Sequence, residues 1–150
     1  MKIIKYFLRA IGILLVGFII FYIVGIPICN NHYAKSTMED ILEVPLPDST
    51  TLKDKIYYAG KIAGNGNGMQ YFGAILIESN LSLEELKSYY SELTDDKYTY
   101  CVEKQTSAKI EQSENVMLSF DTKVEGGNYY IVYSWGSAPS LFEDSDLRGH

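Results

Sequence analysis

Eighteen consecutive positions, Ile11 to Ile28 (IGILLVGFIIFYIVGIPI), carry no charge, and beyond them the apolar residues fall into short periodic groups. At about 1.5 Å per residue the run covers roughly 27 Å, close to the roughly 30 Å hydrocarbon core of a bilayer. It reads as a membrane span. Lys2, Lys5 and Arg9 precede it, and no acidic residue occurs before Glu39. Positive charge resists translocation, so residues 1–10 are expected in the cytoplasm and everything after the span outside it. Tyr6 and Phe7 suit the inner interface and Tyr33 the outer one, and Pro27 falls in the last turn, where a missing N–H is tolerable. Two cleaved forms compete with an uncleaved anchor. A signal peptide has an apolar stretch of about 7–15 residues followed by a small-residue site; here the stretch is longer and His32-Tyr33-Ala34 is a poor match. A lipoprotein with Cys29 lipidated would want a small residue before it, and Ile28 is large.

Residues 29–54 read as a tether. Ser36-Thr37-Met38-Glu39 can open a short helix, with Ser36 as cap and Glu39 reaching back. Pro45 and Pro47 then stop it and favour an extended, stiff spacer. From Lys55 to Ala63 apolar residues alternate, as in a strand, and Met69–Ser79 is apolar on both sides, as in a central strand covered on both faces. Ser82 and Glu85 form a capping-box pair, flanked by Leu81 and Leu86 as a hydrophobic staple. Leu83, Leu86, Tyr90 and Leu93 follow on one helical face, and Thr94-Asp95-Asp96 supplies the turn. Strands are expected at Tyr98–Gln105, Val116–Thr122 and Asn128–Ser137, the last two joined by Glu125-Gly126-Gly127-Asn128. The pattern predicts an α+β protein: an N-terminal transmembrane helix (11–28), then an extracytoplasmic domain (55–137) built as a mostly antiparallel sheet of about five strands, β-β-α-β-β-β, with one helix on one face. Residues 138–150, acidic and without a helix cap, read as a loose tail.

Composition changes this picture little. Net charge is −6, but the first nine residues carry +3, so the rest carries −9. An acidic domain does not neutralise phosphates, which argues against nucleic acid and against docking on anionic headgroups. Thirteen tyrosines stand out, ten of them between Tyr57 and Tyr133. Tyrosine favours strands and serves both core and wet surface, so the count suits a sheet-rich secreted domain. Cys29 and Cys101 are 72 positions apart; a bridge between them would pull a core strand down to the membrane, so free thiols, or an intermolecular bridge through Cys29, are expected.

Catalytic and cofactor chemistry is hard to assemble. His32 lies against the membrane and His150 in the tail, so no Ser-His-Asp or Cys-His arrangement is expected, and no zinc cluster or other cofactor site is expected either. Adjacent carboxylates (Glu84-Glu85, Asp95-Asp96, Glu143-Asp144) read as solvated charges. Two features could bind a partner. The loop Gly64-Asn65-Gly66-Asn67-Gly68 lacks the lysine and spacing of a phosphate loop and opens no helix, which leaves a wide hairpin or a contact loop. In the last strand Tyr129, Tyr133 and Trp135 share one side. With Tyr57 they would form an aromatic surface, if nothing covers the face away from the helix.

Val44-Pro-Leu-Pro-Asp48, the stretch Gly64–Ala74 and Leu83–Tyr90 together resemble small bacterial proteins, anchored at the N-terminus or secreted, of the Gram-positive type. The resemblance implies a cell-surface location and carries no activity or site residue. The resulting expectation is a single-pass membrane protein held in the bilayer by residues 11–28, with a non-catalytic binding or accessory role at the envelope toward a protein, peptide or glycan. The alternatives are an enzyme acting on envelope polymers through carboxylates, and a small subunit or inhibitor of a membrane complex.

Overall fold

The computed structural model describes residues 2–94, 99–136 and 140–150; expectations placed on Asp95, Asp96, Tyr98, Ser137 and Pro139 lie outside them. Helix runs without interruption from Lys2 to Glu43 and is long and apolar enough to cross a membrane. Its first part, α1 (Lys2–Ile20), has no buried residue. A π turn, Phe21–Gly25, leads into α2 (Ile26–Glu43), which carries Pro27 in its first turn. Proline lacks an N–H and crowds the carbonyl one turn back, and a widened turn just ahead of it relieves both problems.

The tether expected over residues 29–54 is therefore mostly helix. Ser36 caps nothing and sits mid-helix. Ile26, Asn30, Ala34, Thr37, Met38 and Ile41 recur every three or four residues and are all buried. They form a stripe laid along the sheet, one turn above another. Only residues 44–49 connect helix to sheet, and Val44 takes the extended backbone that a following proline imposes (φ −70°, ψ 125°).

The sheet has four strands, β1 (Thr50–Gly60), β2 (Gln70–Ser79), β3 (Cys101–Lys104) and β4 (Tyr129–Trp135), in the order β1-β2-β4-β3 with every neighbouring pair antiparallel. The doubly apolar β2 is internal, as its pattern predicts. One face of the sheet, with Ile75, Ile77, Val102, Tyr130 and Val132, packs under Ile41 of α2 and Leu86 and Tyr90 of α3 (Leu83–Glu92). The other face, with Phe72, Ala74, Leu76, Ile131 and Tyr133, packs under Ile62, Ile110, Leu118 and Phe120. The last three belong to the long β3–β4 connection. The expected strand at Val116–Thr122 is not a strand of the sheet: Ile110 N–H donates to the Leu118 carbonyl (3.0 Å) and Phe120 N–H to that of Ala108 (2.9 Å), giving a short ladder folded over the sheet face. Alternating Leu118 and Phe120 mimic a strand because their side chains all point down into the core. Among the described residues the sheet has four strands, not the expected five.

The N-terminal signal of α3 is realised as read. Ser82 Oγ accepts from Glu85 N–H (3.3 Å) and Glu85 Oε2 accepts from Ser82 N–H (2.8 Å). Helix and sheet backbones approach closely at Gly73. A Cβ there would stand 2.3 Å from Met38 N and 2.7 Å from Met38 Cα, so backbone meets backbone and no side chain can yield. Gly73→Ala is expected to destabilise the domain by about 1–3 kcal/mol or more through overpacking, while Ser82→Ala, which removes one cap, should cost about 1 kcal/mol. Thermal unfolding of the two variants checks the ranking; a Gly73→Ala protein that melts like the parent would mean that α2 does not lie on β2.

Candidate functional site

Residues 140–150 are not a loose tail. Two single turns of tight helix, Glu143–Ser145 and Leu147–Gly149, bring them back onto the start of α2. Asp146, almost fully buried, accepts from Arg148 Nε (3.0 Å), Arg148 Nη2 (2.8 Å), Arg148 N–H (3.1 Å) and Asn30 Nδ2 (2.8 Å). Arg148 also donates to Asn31 Oδ1 (2.8 Å) and to the Pro27 carbonyl (3.1 Å). Asn30, fully buried, completes the set by accepting from the Tyr71 hydroxyl (3.2 Å). A buried carboxylate in an ion pair stabilises only when its remaining lone pairs are satisfied, and both oxygens of Asp146 are, while the guanidinium keeps some contact with solvent. Burial pushes the Asp146 carboxyl up, but the hydrogen bonds from Arg148 and Asn30 outweigh it and hold the group below its ordinary range.

This latch fixes which end of the domain meets the apolar helix. Lys61 N–H donates to the Arg148 carbonyl and Gly68 N–H to that of Gly149, each at 2.7 Å. The β1–β2 hairpin therefore lies beside the point where the helix enters the domain. Gly64 (φ +75°) and Gly68 (φ +142°) take backbone angles open to glycine, while Asn65 and Asn67 do not. The hairpin's base is tied by Gln70, whose Oε1 accepts from the N–H groups of Ile62 (2.7 Å) and Ala63 (2.8 Å). The 111–117 turn clamps its flank: Glu114 Oε2 accepts from Gly64 N–H (2.9 Å), and Asn115 Nδ2 donates to the Gly64 carbonyl (2.8 Å). Asn65, Gly66 and Asn67 stand exposed at the tip.

The four aromatic residues do not share a surface. Tyr57 pairs across the sheet with Gly73 on the helix side, where it is partly exposed near Lys35 and Met38. Tyr129, Tyr133 and Trp135 face the other way, under the β3–β4 connection. Trp135 packs on Phe72 with ring centroids 5.0 Å apart, and the Tyr133 hydroxyl donates to Glu103 Oε1 at 2.6 Å. Burial and the neighbouring Glu103 push the Tyr133 hydroxyl pKa up. The expected aromatic row is real, but it belongs to the core. Its cover could have been suspected from the apolar Ile110, Val116, Leu118, Phe120 and Val124 spread through the β3–β4 connection.

Chemically reactive groups are dispersed or engaged. Cys29 and Cys101 are free thiols, both half-buried, and Cys29 shares with exposed His32 the wall of an apolar groove of about 400 Å³ between α2 and residues 140–142. Glu111 and Glu114 occupy one turn, yet Lys109 Nζ holds Glu111 at 3.2 Å and Gly64 N–H holds Glu114. Asp54 receives N–H bonds from Lys55 (2.7 Å) and Thr122 (2.8 Å), which ties the β3–β4 connection to β1; these outweigh its burial and lower its pKa. Among the described residues no three His, Cys, Asp or Glu side chains lie together as a metal site.

A depressed folded pKa stabilises the docked state above the ordinary carboxylate value of 3.8 and is lost as pH falls through that value to the lower folded one. Carboxypeptidase digestion is expected to spare residues 140–150 from neutral pH down to about pH 4 and to release them below it. Asp146→Asn should cost roughly 3 kcal/mol, the low end for a broken buried pair because Arg148 still meets water, and should flatten that acid transition. An unchanged transition in Asp146→Asn would assign it to another group.

Comparison with known proteins gives no match: no family model fits the chain, and no curated protein or solved structure is similar to it.

Proposed function

We propose that the chain is a single-pass membrane protein, its N-terminus in the cytoplasm and its domain outside, with a non-catalytic accessory role at the cell envelope. The observation that carries this reading is α1, nineteen residues with Ile3, Leu14, Phe18 and their neighbours all exposed and none buried against the domain. Such a surface needs hydrocarbon around it. Lys2, Lys5 and Arg9 at its start support the orientation.

The surface offered to a partner is the Gly64–Gly68 tip with its flanking 111–117 turn. Both sheet faces are covered, which leaves this polar, clamped loop as the best-presented contact element. Its place beside the helix entry points to a partner that itself stands in or at the membrane. The enzyme reading has less support, because Glu111 and Glu114 are already held by Lys109 and by Gly64.

A photo-crosslinking residue at Asn67 is expected to capture a discrete partner in intact membranes. The same residue at Glu125, at the opposite end of the domain, should capture none. The adduct should survive replacement of residues 2–24 by an unrelated span and weaken in Asn65→Ala/Asn67→Ala with unchanged melting. Loss on span replacement would move the contact into the bilayer and favour the subunit reading, and equal capture from Glu125 would remove the loop from the account.

A further inference from the structure

Among the described residues outside the long helix, three large apolar side chains are more than half exposed: Leu141 (92%), Met117 (89%) and Leu147 (69%). The other exposed ones, Leu46, Leu52, Tyr57 and Leu93, reach at most 41%. All three extreme cases lie at one end. Leu141 lines the groove against Ile28 and Cys29. Leu147 adjoins Arg148, which donates to the Pro27 carbonyl. Met117 lies on the turn whose Asn115 N–H donates to the Ile62 carbonyl (2.8 Å), beside the hairpin loop. Chance would not gather them where the apolar helix enters.

Phe142 connects this collar to the span. Its ring meets that of Phe21 edge-on at 5.5 Å, a full turn below the first residue of α2. Phe21 is otherwise partly exposed, so the apolar surface of the helix continues onto Leu141 and Phe142. The groove of about 400 Å³ between Ile28, Cys29, His32, Tyr33, Leu141 and Phe142 adjoins that same surface. Charge does not draw this end to a membrane: Arg148 is spent on Asp146, and Glu143 and Asp144 flank it.

We propose that Leu141, Phe142 and Leu147 form a collar inserted into the lipid around the span, with acyl chains in the groove beside Ile28, so that the domain sits directly on the bilayer. This rests on the span being membrane-embedded. Insertion is driven by apolar burial and not by headgroup charge, so it needs no anionic lipid. The collar then acts with the latch. Asp146 and Arg148 hold residues 141–147 in place, and the lipid covers what the latch leaves exposed.

The test is nitroxide depth in full-length protein reconstituted into phosphatidylcholine vesicles. Leu141→Cys and Leu147→Cys are labelled singly in a Cys29→Ser, Cys101→Ala background, with Leu52→Cys as distal control and Val16→Cys as span control. Of the collar residues Leu141 and Leu147 are exposed, so labels there leave the core intact. The expected result is oxygen accessibility at positions 141 and 147 several-fold above the Leu52 control, with a polar nickel reagent excluded, and no change on adding phosphatidylserine. Collar labels as open to nickel as Leu52, with Val16 deep in lipid, overturn the collar and leave the span standing. All labels in water remove the span and the collar with it. Low accessibility to both reagents at 141 and 147 would mean protein cover by a second copy and would also overturn the proposal.

Discussion

A single helix from Lys2 to Glu43 leaves its apolar first half uncovered and packs its second half into a protein core, and the rest of the structure follows from how it does so. Among the described residues nothing buries α1, whereas α2 is part of the cover for one face of the sheet. The change of surroundings falls at the π turn Phe21–Gly25, directly ahead of Pro27. A proline in a helix interior frees a carbonyl and demands space; here the turn widens before it, and the Pro27 carbonyl gains a donor in Arg148. Because the helix does not end between the two surroundings, the domain cannot swing on a tether. Its sheet direction, its hairpin loop and its C-terminus are all fixed relative to α1.

The C-terminal residues make that fixing specific. Asn30, Asn31 and Pro27 on the helix and Asp146 and Arg148 at the far end of the chain form one hydrogen-bonded set in which every buried polar group has a partner. Such a set contributes geometry as much as stability, since a half-made version would leave a buried charge uncompensated. Its consequence for function is positional. The Gly64–Gly68 loop, which sequence alone leaves free to point anywhere, is held at the helix-entry end through Gly149 and Arg148.

Local signals were legible in the sequence and long-range covers were not. The apolar run, the Ser82–Glu85 capping box, the internal β2 and the two-sided β4 could all be read from spacing, because each depends on residues within a few positions of one another. The helix through 29–35 was hidden because its buried stripe includes Asn30, a polar residue that looks like linker until Tyr71 and Asp146 are brought to it. The tail was hidden for the same reason: Asp146 reads as one more surface acid unless its partner 116 positions earlier is known. Leu118 and Phe120 alternate like a strand, and alternation alone does not distinguish joining a sheet edge from lying across its face. That ambiguity also moved Tyr133 and Trp135 from an expected surface into the core.

Hydrogen exchange of the full-length protein in a bilayer tests the continuous helix most directly. If α2 is packed as described, the amides from Asn30 to Ile41 exchange as slowly as those of β2, because both open only when the domain core unfolds. Exchange over those residues as fast as in the 44–49 connection would mean that α1 ends in a flexible linker and that the domain is not fixed to the apolar helix.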